Sequence, residues 1–154
     1  MAINPNDWYH IVMTFDSLTT TFYINGRAVG SESVHQQIMP QAGPWHIGKH
    51  RQSATIAALK DFDGRIDDIG IWSRALDSAE INGLYTGQTP ISCDSVLPVN
   101  LQQDLIGYYP FCGNWNDYSG HSNDFHNRTN NVPSFTTDRY GRADNAVYFN
   151  GSDV

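Results

Sequence analysis

Residues 62–85, FDGRIDDIGIWSRALDSAEINGLY, constrain this chain more than any other stretch, because a turn, a strand and a capped helix follow one another without interruption. Asp63-Gly64 is a turn signal. Arg65 to Trp72 reads as a strand, with Ile69 and Ile71 on one face and Ile66 and Trp72 on the other. The LDSAEI that follows places Asp77 where its carboxylate can accept from the first free amides of a helix, and Glu80 three residues on completes a capping box. Leu76 and Ile81 flank the cap as a hydrophobic staple. Ile81, Leu84 and Tyr85 recur at helical spacing, and Gly87 can take the left-handed conformation that ends the helix. The expectation is one short helix near residues 78–86 on a mostly β chain.

The flanking sequence supplies the strands. WYHIVMTF, residues 8–15, alternates so that Tyr9, Ile11, Met13 and Phe15 line one strongly apolar face, with Trp8, His10, Val12 and Thr14 on the other. After a polar break, Thr20 to Ile24 forms a second strand, and Asn25-Gly26 is a strong hairpin signal leading into Arg27 to Val29. Gly30 to Gln41 is polar and irregular, Pro44 to Gly48 reads as a short strand, and Gln52 to Lys60 as a loop. Beyond the helix, residues 88–103 carry two prolines and no sustained period, the pattern of a linker. Leu105 to Phe111 is a buried-looking strand whose Pro110 belongs at an edge or bulge. Asn114 to Asp124 is turn chemistry throughout, Asp138 to Gly141 turns again, and Ala146 to Phe149 is a final short strand.

Composition agrees with that pattern. Aromatic residues make up 12 % of the chain and charged ones 16 %, while Gly, Asn, Asp, Ser and Thr are abundant, which suits short strands joined by many turns in an all-β sandwich. The formal charge is -7, and the nine Lys and Arg form no cluster, so the electrostatic footprint of a nucleic-acid binder is missing. No run of about 18 apolar residues suggests membrane insertion. The first ten residues lack the basic start and apolar core of a secretory signal, so an exported parent implies a removed signal or a fragment. The separation of Cys93 and Cys112 permits a disulfide without demanding one. Asn127-Arg128-Thr129 and Asn150-Gly151-Ser152 fit the glycosylation acceptor pattern.

Taken together, these motifs resemble the laminin-G-like, concanavalin-A-like jelly-roll modules. Residues 8–87 resemble the second half of such a module through WYHIVMTFD, FYINGRAVG, PWHIGK and the 62–85 stretch. Residues 105–151 resemble the first third through LIGYYPFCGNWNDYSG, DRYG and AVYFNG. The usual order is inverted. Residues 1–87 are thus read as a C-terminal half, 88–103 as a linker and 104–154 as an N-terminal part. Two arrangements follow: a chain cut across tandem modules, or a permuted, shortened module in which the late segment packs on the early one in cis or by swapping. The second is preferred because unpaired half-sandwiches leave long apolar edges open. It makes LIGYYPF the partner of IDDIGIW. The resemblance implies a jelly-roll-type antiparallel β-sandwich and an extracellular or cell-surface location.

Glycoside hydrolases share this architecture, but a retaining pair of carboxyls must lie about 5 Å apart across the bond. The two glutamates are Glu32 in an irregular segment and Glu80 at a helix cap, and the adjacent Asp67 and Asp68 of a strand point to opposite faces. No acid/base pair results. The six histidines are scattered without zinc spacing, and no glycine turn follows a phosphate-loop pattern. The chain reads as non-catalytic. Sugars stack on aromatic faces and are oriented by amide and carboxylate hydrogen bonds, and Trp115, among Asn and Asp in a loop, is the candidate platform, assisted by Asn116, Asp117 and Tyr118. Trp72 reads as core. The resemblance also implies a structural calcium, with Asp67, Asp68 and Asp117 as carboxylate ligands and backbone carbonyls near Gly113 and Gly120; the fourteen aspartates suit a hard-oxygen site. Recognition of carbohydrate or glycoprotein is the first functional expectation. A purely structural module, or one forming a homodimer through open or swapped strands, is the alternative.

Overall fold

The computed structural model describes residues 3–34, 45–48, 61–87, 97–126 and 132–151. Among these residues eight strands and two short helices follow in the order β1 (Ile11–Phe15), β2 (Thr19–Ile24), β3 (Arg27–Ser33), β4 (Asp63–Ile66), β5 (Ile69–Trp72), α1 (Ser78–Thr86), α2 (Val99–Gln102), β6 (Leu105–Tyr109), β7 (Ser134–Thr136) and β8 (Ala146–Asn150). The described residues form antiparallel β1-β2-β3 and β4-β8-β7 sheets and a β5-β6 pair. The fold is all-β, as the composition and strand pattern imply.

The chain divides into two compact units, one of Met1–Met39 with Ile71–Ile106 and one of Pro40–Gly70 with Gly107–Val154. In the first, Asn25 and Gly26 both take positive φ, 51° and 75°, the geometry of the tight hairpin that Asn-Gly favours. β2 and β3 pair from Ile24↔Arg27 to Thr19↔Ser33, with a bulge between Phe22 and Tyr23. Strand β3 therefore runs four residues past the expected Val29, because β2 supplies partners for Gly30, Ser31, Glu32 and Ser33 although they have no apolar period. The buried side chains of this unit gather elsewhere, at Leu76, Ile81, Leu84, Leu97, Leu101 and Leu105.

Helix α1 forms as its cap dictates. The Asp77 carboxylate accepts from Ala79 and Glu80 amides at 2.8 Å each, and the Glu80 carboxylate accepts from the Asp77 amide at 3.0 Å. Gly87 ends the helix at φ 70°. Arg74 clamps the box from outside: its two terminal nitrogens donate to the two Glu80 oxygens at 2.7 Å each, and one also donates to the Asn100 carbonyl. Arg74 thereby holds the Glu80 carboxyl down at about 2. The end of the expected linker is structured, since residues 99–102 make one helical turn with Leu101 fully buried. Trp72, on the strand before α1, donates through Nε1 to the Leu101 carbonyl at 2.7 Å.

In the second unit β8 is the central strand, with Ala146, Val147 and Phe149 buried and Tyr148 turned out. It pairs with β4 from Asp63↔Asn150 to Ile66↔Val147, and with β7 on its other edge. Phe149 meets Phe62 edge-on at 6.2 Å and also covers Gly48, where an added Cβ would lie 2.6 Å from the ring. Residues 45–48 are not a strand: Gly48 sits at φ 78° and its carbonyl accepts from the Phe62 amide. The expected loop at 52–60 and both acceptor serine and threonine positions, Thr129 and Ser152, lie outside the described residues. Cys112 is disulfide-bonded.

Candidate functional site

The loop after β6 is built on one carboxylate. Asp117 Oδ1 accepts from the Tyr108 and Ser119 amides at 2.9 Å each, and Oδ2 accepts from the Ser119 hydroxyl at 2.8 Å and the Asn123 amide at 3.0 Å. Its own amide donates to Asp124 Oδ1 at 2.8 Å. Burial pushes the Asp117 carboxyl up, but these donors outweigh it and the net shift is downward. The backbone adds Tyr118 to Tyr108 and Phe125 to Trp115 hydrogen bonds. The consequence is a long, glycine-containing loop tied at several points to β6 rather than left to swing.

Aromatic rings fasten the same loop from below. Trp115 meets the buried Phe111 edge-on at 5.8 Å and lies 5.1 Å from Phe135, while Phe125 stacks within 3.9 Å of Tyr109. Trp115 is therefore half-buried and anchors its own loop. What the loop turns outward is Asn116 and Tyr118, the latter 45 % exposed with its hydroxyl accepting from Asn114 Nδ2 at 3.1 Å. The more exposed aromatic ring of this loop is that of Tyr118, three residues on from Trp115.

The second cluster gathers Asp67 and Asp68. The expected strand from Arg65 to Trp72 breaks between them: β4 ends at Ile66, β5 begins at Ile69, and Asp68 takes a left-handed φ of 51°. This kink defeats the strand alternation, so both carboxylates converge on one nitrogen of Arg139, at 3.0 Å for Asp67 and 2.6 Å for Asp68. Their side chains are 2 % and 9 % exposed. Desolvation, and for Asp67 the neighbouring Asp68 charge, raise the two carboxyls to about 7 and about 6. The Tyr108 phenol is raised as well, by its own burial and then by the charges of Asp68 and Asp67, and its buried hydroxyl has no hydrogen-bond partner among the described residues. Next to it Asp138, 3 % exposed, accepts from the Tyr140 and Arg142 amides and from the Arg142 side chain, closing the 138–142 turn. The Arg139 and Arg142 guanidinium groups lie 4.6 and 5.2 Å from the centre of the exposed Tyr140 ring.

A laminin-G-type family model, described as the concanavalin A-like lectin/glucanases superfamily, matches residues 1–82. The chain belongs to this family. A crystal structure of an S-layer domain-containing protein from Clostridium thermocellum is similar at 31 % identity and a TM-score of 0.48, covering 55 % of this chain and 42 % of that one. The match thus spans less than half the length of that solved chain, which is itself residues 221–444 of its protein. No curated protein matches it.

For this laminin-G-like chain the residues singled out by sequence fall into separate places. Trp115, Asn116, Asp117 and Tyr118 share one loop, while Asp67 and Asp68 belong to the Arg139 cluster. Their oxygens do not fit a calcium ion as arranged: a guanidinium already occupies the cation's place beside Asp67 and Asp68, and backbone and hydroxyl donors take both oxygens of Asp117. Gly113 donates its amide to the Phe111 and Asp144 carbonyls, and Gly113 and Gly120 serve as left-handed turn positions at φ 66° and 90°. Among the described residues no group of three or more His, Cys, Asp or Glu could hold a metal. Sequence reading gives Arg139 and Tyr140 no role of their own, since DRYG enters it only as a turn and as one of the motifs of the family resemblance.

Proposed function

We propose that the chain is a non-catalytic recognition module of an exported protein, and that it binds carbohydrate, free or on a glycoprotein, through the loop at residues 114–118. One observation carries this reading: a loop fixed by Asp117 and by the Trp115 anchor presents an exposed aromatic ring, Tyr118, beside the exposed Asn116. A fixed aromatic face with polar neighbours is what sugar recognition requires, because little ordering entropy is lost on binding. Membership of a lectin-containing family agrees with this, and a disulfide-bonded Cys112 agrees with an oxidising compartment. Among the described residues no helix is long and apolar enough to cross a membrane. Catalysis by Asp67 and Asp68 is disfavoured because both are shielded from substrate and tied to the same guanidinium.

The test is a glycan array followed by titration of the best ligand. Tyr118→Ala should weaken binding at least about tenfold with an unchanged melting temperature, whereas Trp115→Ala should lower the melting temperature. A wild-type protein that retains no glycan, or a Tyr118→Ala variant that binds as wild type does, would overturn the proposal.

A further inference from the structure

The kink between β4 and β5 brings together two like charges that a regular strand would keep apart. Adjacent strand residues point to opposite faces. The left-handed φ of 51° at Asp68 breaks that alternation, and the carboxylates of Asp68 and Asp67 meet at one Arg139 nitrogen, 2.6 and 3.0 Å away. Asp67, Asp68, Tyr108, Asp138, Arg139 and Arg142 all belong to the unit of Pro40–Gly70 with Gly107–Val154. Two carboxylates that converge out of solvent are strongly unfavourable unless a cation stands where they meet. Here the chain delivers that cation itself, from the turn that Asp138 closes.

A single guanidinium is an incomplete match for its surroundings. The carboxylates of Asp67, Asp68 and Asp138 act on one another, and only the Arg139 and Arg142 guanidinium groups oppose them, so the cluster is short of one positive charge. Burial first, and then the neighbouring carboxylates, hold Asp67 at about 7 and Asp68 at about 6, so that near neutral pH a retained proton supplies part of the missing charge. Tyr108, 6 % exposed and close enough to feel both aspartate charges, adds a buried hydroxyl with no hydrogen-bond partner among the described residues. Two carboxylates and a spare hydroxyl are hard oxygens of the kind that hold calcium, with water completing its shell of about six to eight. We infer that Arg139 is a built-in substitute for a divalent cation, and that the oxygens of Asp67, Asp68 and Tyr108 take calcium once the guanidinium is removed.

With Arg139 in place, its nitrogen stands at the point where the two carboxylates meet, and an arriving metal ion finds a positive charge there instead of free oxygens. An arginine stays charged at every working pH and, unlike a bound ion, is never lost by dilution or to a chelator. The kink is thus held without any external cation. One substitution at residue 139 is enough to make the same unit depend on metal.

Calorimetric melting at pH 8, in chelator and in about 10 mM calcium, tests it. The wild type should melt at the same temperature in both. Arg139→Ser, which empties the cation's place, and Arg139→Gln, which keeps an amide there without the charge, should melt lower in chelator. Each should gain about 3 °C or more in calcium, the shift of a site with an affinity of roughly 0.1–1 mM. Arg139→Lys keeps the positive charge and should gain nothing. Adding Asp68→Asn to Arg139→Gln should abolish the gain, which separates this site from calcium held loosely by other aspartates. Should a neutral variant be unfolded in chelator, calcium should restore its circular dichroism. A wild type that calcium stabilises overturns the proposal. So do Arg139→Ser and Arg139→Gln chains that calcium neither folds nor stabilises, an equal gain in Arg139→Lys, or a gain that survives Asp68→Asn.

Discussion

Replacing Asp67 by Asn should stabilise this protein at neutral pH and leave it unchanged in mild acid. Two carboxylates share one guanidinium nitrogen in a nearly closed pocket, beside a Tyr108 hydroxyl that makes no hydrogen bond among the described residues. With both ionised, the trio carries one uncompensated negative charge. Burial raises Asp67 to about 7 and Asp68 to about 6 from 3.8. An acid raised in the folded state keeps a proton that the unfolded chain releases, so its favourable contribution is complete below pH 4 and is lost as pH climbs to 6–7. A shift of roughly three units for Asp67 corresponds to at most about 4 kcal/mol. The two shifts do not add, because relieving one carboxyl frees Arg139 for the other, and about 1–3 kcal/mol is the expected gain for Asp67→Asn at pH 8. Urea unfolding reads it directly: with a slope of about 1–3 kcal/mol/M, the variant's midpoint should move up by roughly 1 M at pH 8 and coincide with wild type near pH 4. A variant that is less stable at pH 8, or a gap of equal size at both pH values, would refute the reasoning and mean that the Asp67 charge is a net asset.

Other consequences follow from the same contacts. Arg139→Met leaves both acids buried without a partner and should cost about 3–5 kcal/mol at pH 8 and much less near pH 4, as measured by the same urea curves. Glu80→Ala removes the capping-box acceptor and the Arg74 clamp and should cost about 1–2 kcal/mol; because Glu80 is held down at about 2, its contribution is present above its usual 4.5 and should fade as pH falls toward 2. Gly48→Ala puts a Cβ into the Phe149 ring at a positive φ and should lower stability by about 2–4 kcal/mol by calorimetry. A calcium chelator should leave the melting temperature unchanged, given the donors already seated on Asp67, Asp68 and Asp117.

Where the sequence carries its information locally, the structure follows it. The Asp77–Glu80 box, the Gly87 stop and the Asn25-Gly26 hairpin each depend on residues within a few positions, and all three form. The break at Asp67-Asp68 could not be read that way. Its left-handed residue is stabilised by Arg139, 71 positions along the chain, and no local period records it. Strand β7 went unread for the same reason, since three residues, SFT, become a strand only by pairing with Ala146 to Tyr148. The apolar period of β1 was legible but its meaning was not: alternation finds a face without telling what covers it. In the candidate site, the Asn and Asp of NWNDYSG announced a turn, yet which aromatic faces outward depended on Phe111 and Phe135 offering Trp115 a place to pack.

The account stands most directly on the pairing of β4 with β8, which brings Asp63–Ile66 and Ala146–Asn150 into one sheet with Val147 and Phe149 buried. Isotope-filtered NOE spectroscopy on a dilute mixture of labelled and unlabelled chains measures it. Intrachain NOEs between Gly64–Ile66 and Val147–Phe149 are the predicted result; their absence, or their appearance only between chains, would contradict it.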